Sequence, residues 1–193
     1  MKKSLIALMA LAACAAASAQ TTLSVEYDFH KNTTWGTKGH YWATGITQGT
    51  KYGSFDAWLQ GSHNRTNGSI DNLNGWELGY SYALPVGSLT ITPRIAYGAM
   101  NNIDNGAGGR LNARYMLTTV EASHPISEGL SGFAGVSHTK GLNADAIQSW
   151  NRTTAGVDYS LTKNISVRVG GSYIRQLQTN QYGGYGIISY TLN

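Results

Sequence analysis

The chain has 193 residues, of which 12% are charged, and its formal net charge is +4. It is rich in Gly (24) and Tyr (12) and poor in Pro (3), a composition that suits closely packed strands at a membrane interface. After residue 20, no apolar stretch is long enough to form a membrane-spanning helix. The basic residues form no stripe of the kind that indicates nucleic-acid binding.

The first 19 residues have the pattern of a secretory signal peptide. Lys2 and Lys3 form a basic segment, an apolar run follows, and Ala17-Ser18-Ala19 is a small-residue cleavage site. Lipoprotein processing at Cys14 is the alternative, because residues 11–14 fit the bacterial lipobox. We expect a signal peptide at 1–19, cleaved after Ala19, and a single domain over residues 20–193 that lacks cysteine.

Short segments with a two-residue period follow the signal peptide. In residues 76–84 every second side chain is large and apolar, and the residues between them are Glu77, Gly79, Ser81 and Ala83. This pattern predicts ten strands, near residues 22–30, 40–50, 54–63, 75–84, 88–98, 111–122, 130–138, 153–161, 165–175 and 182–192. Four of them are irregular and predict a bulge or an interior aromatic side chain, at Trp42, Trp58, Met116 and Phe133.

Long and tight connections alternate along the chain. The long ones are 31–39, 64–74, 99–110 and 139–152, and the tight ones are 51–53, 85–87 and 162–164, with a short final connection at 176–181. Aromatic residues mark the strand ends: Phe29, Trp76, Tyr97 and Tyr173 on the long-loop side, and Tyr82, Tyr159 and Tyr190 on the other.

These features together predict an all-β protein, a single closed antiparallel up-and-down transmembrane β-barrel of ten strands, with eight or twelve strands as alternatives. A soluble β-sandwich also buries one face of each strand. It does not, however, explain the aromatic placement or the alternating loop lengths.

The chain resembles the small porin-like outer-membrane β-barrel proteins of Gram-negative bacteria. Its last strand, with Gly186, Ile188, Tyr190 and Leu192 alternating, is similar to the signal that such proteins present to the barrel assembly machinery, although it ends in Asn193 instead of an aromatic residue. The resemblance implies export through the periplasm and a location in the bacterial outer membrane. The partners it implies are membrane lipid, lipopolysaccharide and, during insertion, the assembly machinery.

Charged residues of both signs occupy inward positions of the predicted strands. The lumen candidates are Glu26, Asp28, Asp56, Glu77, Arg94, Arg114, Asp158 and Arg168. A three-residue turn at 162–164 sets Asp158 directly opposite Arg168. Because an unpaired buried charge costs several kcal/mol, these groups should pair in a narrow interior. The sequence therefore predicts a narrow lumen of mixed charge, in either a structural barrel or a diffusion porin for a small solute.

Basic residues also accumulate in the predicted outer loops. The candidates for contact with lipopolysaccharide phosphate are Lys38, Arg65, Arg110, Lys140 and Arg152. The alternative function is an outer-surface binding or adhesion barrel that acts through these loops.

We expect no enzymatic activity, no cofactor, no metal and no nucleic-acid partner. Asp28 and His30 resemble half of an omptin-type pair, but the partner Asp-x-Asp is absent. Histidines near the outer strand ends leave a metal site or a pH-sensitive gate as alternatives, at His30, His40, His63 and His138.

Overall fold

The computed structural model describes residues 20–33, 38–66, 69–104, 110–143, 149–176 and 179–192, without the side chains of 63–73 and 102–111. The strands are β1 (Thr21–Asn32), β2 (Lys38–Thr50), β3 (Gly53–Thr66), β4 (Ser69–Ser81), β5 (Leu84–Val86), β6 (Leu89–Asp104), β7 (Arg110–Ser127), β8 (Leu130–Gly141), β9 (Trp150–Ser160), β10 (Ile165–Gln176) and β11 (Thr179–Leu192). The described residues include no helix long and apolar enough to cross a membrane.

The strands form one antiparallel sheet that closes on itself. Apart from β5, each strand pairs with its neighbours along the chain, and β4 pairs with β6 across the short β5. The ring is closed by β1 and β11, which pair from Thr21 opposite Leu192 to Asn32 opposite Gln181. The prediction of an all-β, ten-stranded, up-and-down barrel is confirmed.

The short strand β5 is the end of β4 and not a separate wall strand. Ser81 lies opposite Arg94 and Leu84 lies opposite Ile91, so the two pieces share one register on β6. Pro93 faces the break, and it has no N–H to donate to β4. The ladder keeps only the hydrogen bond from the Tyr82 N–H to the Pro93 carbonyl, at 3.2 Å. The predicted fourth strand therefore continues almost to the turn at Gly87.

The strand ends differ from the sequence prediction mainly on the long-loop side. At the end of the barrel with the tight turns, Gly53, Gly87 and Gly129 adopt positive φ values of 126°, 62° and 72°, which only glycine adopts freely. At the other end, β3 and β4 occupy most of the predicted loop 64–74, and β6 and β7 occupy much of the predicted loop 99–110. Polar residues there continue the backbone pairing, so their loop-like composition was misleading.

The outer surface of the barrel is apolar. Val25, Tyr27, Leu78, Val169 and Ile188 face away from the barrel axis and are 60%, 54%, 48%, 50% and 61% exposed. Their strand neighbours at alternate positions point inward and include buried charged groups. An apolar exterior around a polar interior is the arrangement of a barrel that faces lipid.

Two of the irregular aromatic residues are in the interior. Phe133 is buried, and the ring of Trp58 fills the space that a side chain at Gly45 would need. Trp42 instead lies on the outer surface over Gly61, with 48% of its surface exposed. The prediction of an interior aromatic residue or a bulge is therefore confirmed at Trp58 and Phe133 and wrong at Trp42.

Closure of the barrel can be tested with an engineered disulfide. Val25 and Ile188 are directly opposite each other on β1 and β11, within the Cα separation that a disulfide tolerates. We expect Val25→Cys with Ile188→Cys to form an intramolecular disulfide in the folded protein, detected as a mobility shift on non-reducing gels. Val25→Cys with Val169→Cys, on strands that do not pair, should form none. The opposite result would contradict the closure.

Candidate functional site in the barrel lumen

Three arginines in the lumen each contact one aspartate and one glutamate, and we refer to these groups as the arginine clusters. In the first, Arg94 Nε donates to Asp56 Oδ2 at 3.0 Å and Arg94 Nη2 donates to Glu77 Oε1 at 2.6 Å. Arg94 Nη2 also contacts Asp56 Oδ1. Gly79 on β4 makes room for the pair, since a Cβ there would lie 2.6 Å from Asp56 Oδ2.

The second cluster joins strands that are not neighbours. Arg152 on β9 donates from Nη2 to Asp28 Oδ2 on β1 at 2.8 Å, and its Nη1 lies 4.0 Å from Glu26 Oε1. Because β10 and β11 lie between β9 and β1, this contact spans part of the lumen. The guanidinium carbon also lies 5.1 Å from the centroid of the Tyr185 ring.

The third cluster contains the pair predicted from the turn at 162–164. Arg168 lies opposite Asp158, as predicted, and donates to its carboxylate from Nε at 2.7 Å and from Nη2 at 2.9 Å. The same guanidinium donates to both carboxylate oxygens of Glu121, at 2.8 Å and 2.9 Å. It also stacks over Phe133, 4.2 Å from the ring centroid.

A chain of hydrogen bonds crosses the lumen a second time. The Tyr41 hydroxyl donates to Gln60 Oε1 at 2.8 Å, and Gln60 Nε2 donates to the Tyr115 hydroxyl at 2.6 Å. The Tyr115 hydroxyl then donates to Glu77 Oε2 at 2.9 Å, which connects this chain to the Arg94 cluster. Side chains from β2, β3, β4 and β7 are thereby fixed against one another.

The structure places seven of the eight lumen candidates in the arginine clusters, and it corrects the eighth. Arg114 was predicted to face the lumen, but its side chain is exposed on the outer surface of β7. The alternation along β7 explains this, because its neighbours Ala113 and Tyr115 are the buried, inward residues. Glu121, on the same inward face, was missed by the sequence prediction.

The predicted phosphate-contact residues divide into three groups. Lys38 and Lys140 are exposed at strand ends, and their contact with phosphate stays a prediction. Arg152 was predicted to lie in an outer loop, which is wrong, because it belongs to β9 and turns inward to Asp28. The side chains of Arg65 and Arg110 lie outside the described residues.

The described histidines have local polar partners. The Tyr27 hydroxyl and His40 Nδ1 are 2.5 Å apart, and His138 Nδ1 lies 2.7 Å from Asn151 Oδ1. His30 also has an interaction partner. The side chain of His63 lies outside the described part of the chain. Among the residues that are described, no three His, Cys, Asp or Glu side chains are grouped to hold a metal ion.

Solved structures share this architecture. The structural match to the β domain of the Bordetella autotransporter Brka covers 91% of this chain and 100% of that domain, with 10% sequence identity and a TM-score of 0.60. The match to the translocator domain of autotransporter NalP from Neisseria meningitidis covers 98% of this chain and 95% of that domain, with 14% sequence identity and a TM-score of 0.53. The chain has the fold of an outer-membrane β-barrel. No protein-family model matches it, and no curated protein matches its sequence. Similarity at these identities establishes the fold of the barrel alone.

The Arg168 cluster predicts an order of stability among variants of the barrel. Arg168→Gln leaves Glu121 and Asp158 facing the interior without a cation, whereas Asp158→Asn leaves Arg168 paired with Glu121. Two carboxylates that lose their shared cation repel each other, so we expect the larger loss of stability in Arg168→Gln. Thermal unfolding of the refolded protein at pH 8 should therefore show the larger drop in Tm for Arg168→Gln.

The control is Glu121→Gln, which leaves Arg168 paired with Asp158, so its Tm should stay above that of Arg168→Gln. Equal Tm values for Arg168→Gln and Asp158→Asn at pH 8 would show that Glu121 does not contribute to the cluster.

Proposed function

We propose that the protein is a narrow diffusion pore of the bacterial outer membrane that passes small solutes and prefers cations. The observation that carries the proposal is the charge of the arginine clusters. Arg94, Arg152 and Arg168 each face one aspartate and one glutamate, so carboxyl groups outnumber guanidinium groups by two to one in these clusters.

This surplus of carboxyl groups is easier to explain in a hydrated lumen than in a dry one. An uncompensated charge in a water-free interior costs several kcal/mol, so a barrel filled only for stability should match its charges one to one. Water and mobile cations remove that cost. A carboxyl group that keeps its proton would also remove it, and the lumen would then show no cation preference.

Orphaned polar atoms in the second cluster also favour water in the lumen. Asp28 Oδ1 and Arg152 Nε are buried and have no hydrogen-bond partner among the described protein groups. Buried polar atoms in folded proteins are nearly always hydrogen-bonded, either to protein or to ordered water. A water path past Arg152 satisfies both atoms.

The cross-lumen contacts limit what such a path admits. The Gln60–Tyr115 hydrogen bond and the Arg152–Asp28 ion pair each connect strands that are separated by two others in the ring. Small barrels have interiors that side chains can fill, so only a thin path remains between these contacts. The proposal is therefore restricted to ions and small solutes.

No catalytic step belongs to this proposal. Asp28, half of the omptin-like pair considered from the sequence, is bound by Arg152 through a 2.8 Å hydrogen bond. An adhesion function would act through the outer connections, much of which lies outside the described residues.

Ion selectivity is the direct test of the surplus charge. In planar bilayers with a KCl gradient, the refolded protein should conduct and its reversal potential should show cation preference. A triple variant, Glu26→Gln, Glu77→Gln and Glu121→Gln, leaves one aspartate for each arginine. We expect this variant to lose the preference.

The control is Glu128→Gln, which removes a carboxylate from an exposed turn and should leave the reversal potential unchanged. A folded barrel without conductance would support a structural plug and contradict the proposal. Anion preference of the unmodified protein would contradict it as well.

Pore width gives a second test. Tyr115 is buried in the lumen and forms the cross-lumen hydrogen bond with Gln60, so Tyr115→Ala should widen the path and raise the single-channel conductance at least about twofold. Tyr159→Ala is a matched control, because that tyrosine is 48% exposed on the outer surface. If Tyr115→Ala conducts like the unmodified protein, the constriction lies elsewhere.

A further inference from the structure

The outer surface near the loop end carries a band of aromatic side chains that stops at β7 and resumes at β10. Trp76 and Tyr97 lie 5.7 Å apart on β4 and β6, and Tyr173 and Tyr182 lie 4.9 Å apart on β10 and β11. The position opposite Tyr97 on β7 is Met116, and the position opposite Tyr173 on β9 is Thr153. No aromatic side chain continues the band over β7, β8 and β9 between these described positions.

A row of polar residues fills this gap. Thr118 on β7 lies opposite His138 on β8, His138 opposite Asn151 on β9, and Asn151 opposite Arg175 on β10. The His138 Nδ1 and Asn151 Oδ1 atoms are 2.7 Å apart. All of these side chains are exposed on the outer surface, where the exposed Val120 and Val136 lie next to them. A polar row of this kind costs free energy against hydrocarbon, so it indicates a polar ligand.

Two cations border the row on its loop side, and Arg175 ends the row on β10. Lys140 is two residues beyond His138 on the same face, and its partner on β7, Met116, is two residues from Arg114. Arg114, Lys140 and Arg175 are all exposed, and none of them forms a salt bridge with a described residue. We name this surface the β7–β10 patch, composed of Arg114, Thr118, His138, Lys140, Asn151 and Arg175.

The side of the patch nearer the tight turns is apolar and concave. A shallow groove runs across β7, β8 and β9, and Val120 and Val136 line it together with Thr118, His138, Asn151 and Thr153. Moving from the loop end towards the membrane centre, the surface therefore offers cations, then hydrogen-bonding groups, then valine side chains. This order matches an amphiphile whose anionic headgroup lies at the membrane surface.

We infer that the β7–β10 patch binds the phosphorylated sugar headgroup of lipopolysaccharide in the outer leaflet. Lys140, Arg175 and Arg114 would donate charge-assisted hydrogen bonds to phosphate, and His138 and Asn151 would bind sugar hydroxyl groups. One acyl chain would lie along Val120 and Val136. Of the residues that the sequence suggested for phosphate contact, only Lys140 belongs to this patch, and the inference does not depend on pore activity.

The test is a binding titration of bisphosphorylated lipid A to the refolded barrel in detergent micelles. We expect Lys140→Ala with Arg175→Ala to weaken binding at least about tenfold, because a hydrogen bond to a charged group is worth roughly one tenfold step in affinity. Lipid A without its phosphates should bind the unmodified protein at least about tenfold more weakly than the bisphosphorylated form does.

The matched control is Lys51→Ala with Lys163→Ala. Both lysines are exposed in tight turns at the other end of the barrel, and this variant loses the same charge as the patch variant. The control should bind lipid A within about twofold of the unmodified protein. Retained heat-modifiable gel migration shows that each variant is folded.

Three results would overturn the inference. Unchanged binding by the folded patch variant would exclude the site, and an equal loss in the control would show diffuse electrostatic attraction to the whole protein. Equally tight binding of phosphatidylglycerol would show that the surface accepts any anionic lipid and does not select lipopolysaccharide.

Discussion

Closure of the sheet by β1 and β11 is the constraint on which the rest of the structure depends. Twelve consecutive residues of β1, from Thr21 to Asn32, each have a partner on β11, so no strand edge remains unpaired there. In a membrane this pairing satisfies backbone groups that lipid cannot. It also sets the circumference, and with it the distance across the lumen. Arg152 can reach Asp28 three strands away only because ten strands make a narrow ring.

Because the ring is narrow, the charged side chains that point inward contact charged side chains from other strands. The arginine clusters hold non-adjacent strands together: β7 with β10 through Glu121 and Arg168, and β9 with β1 through Arg152 and Asp28. A stabilising role alone would be met by one carboxylate for each guanidinium. The second carboxylate adds repulsion that must be relieved by solvent, cations or protons. The clusters therefore stabilise the barrel by connecting non-adjacent strands. Under the proposed function, they also select the ions that pass.

The fold was predictable from the sequence because alternation is a local property, and so was the Asp158–Arg168 pair, because a tight turn fixes the register of its two strands. For β7, the sequence did not predict which side chains point into the lumen. There the inward residues Tyr115 and Leu117 are as apolar as the outward residues Met116 and Val120, so the pattern does not show which face carries Glu121. Arg152 was misplaced for a different reason: its partner is 124 residues away in sequence, and only barrel closure brings the two together.

Successive side chains on a strand point to opposite faces of the sheet. The position of each arginine along its strand therefore determines whether it contacts the lumen or the outer surface. Arg168 and Arg175 are seven residues apart on β10, an odd separation, so they point to opposite faces of the same wall. Inside, Arg168 meets Glu121 and Asp158 and is fully paired. Outside, Arg175 lies beside Asn151 with no acidic partner among the described residues. A cation without an acidic partner among the described residues is available to an external anion. That difference separates the lumen chemistry from the surface chemistry, although both depend on the same residue type.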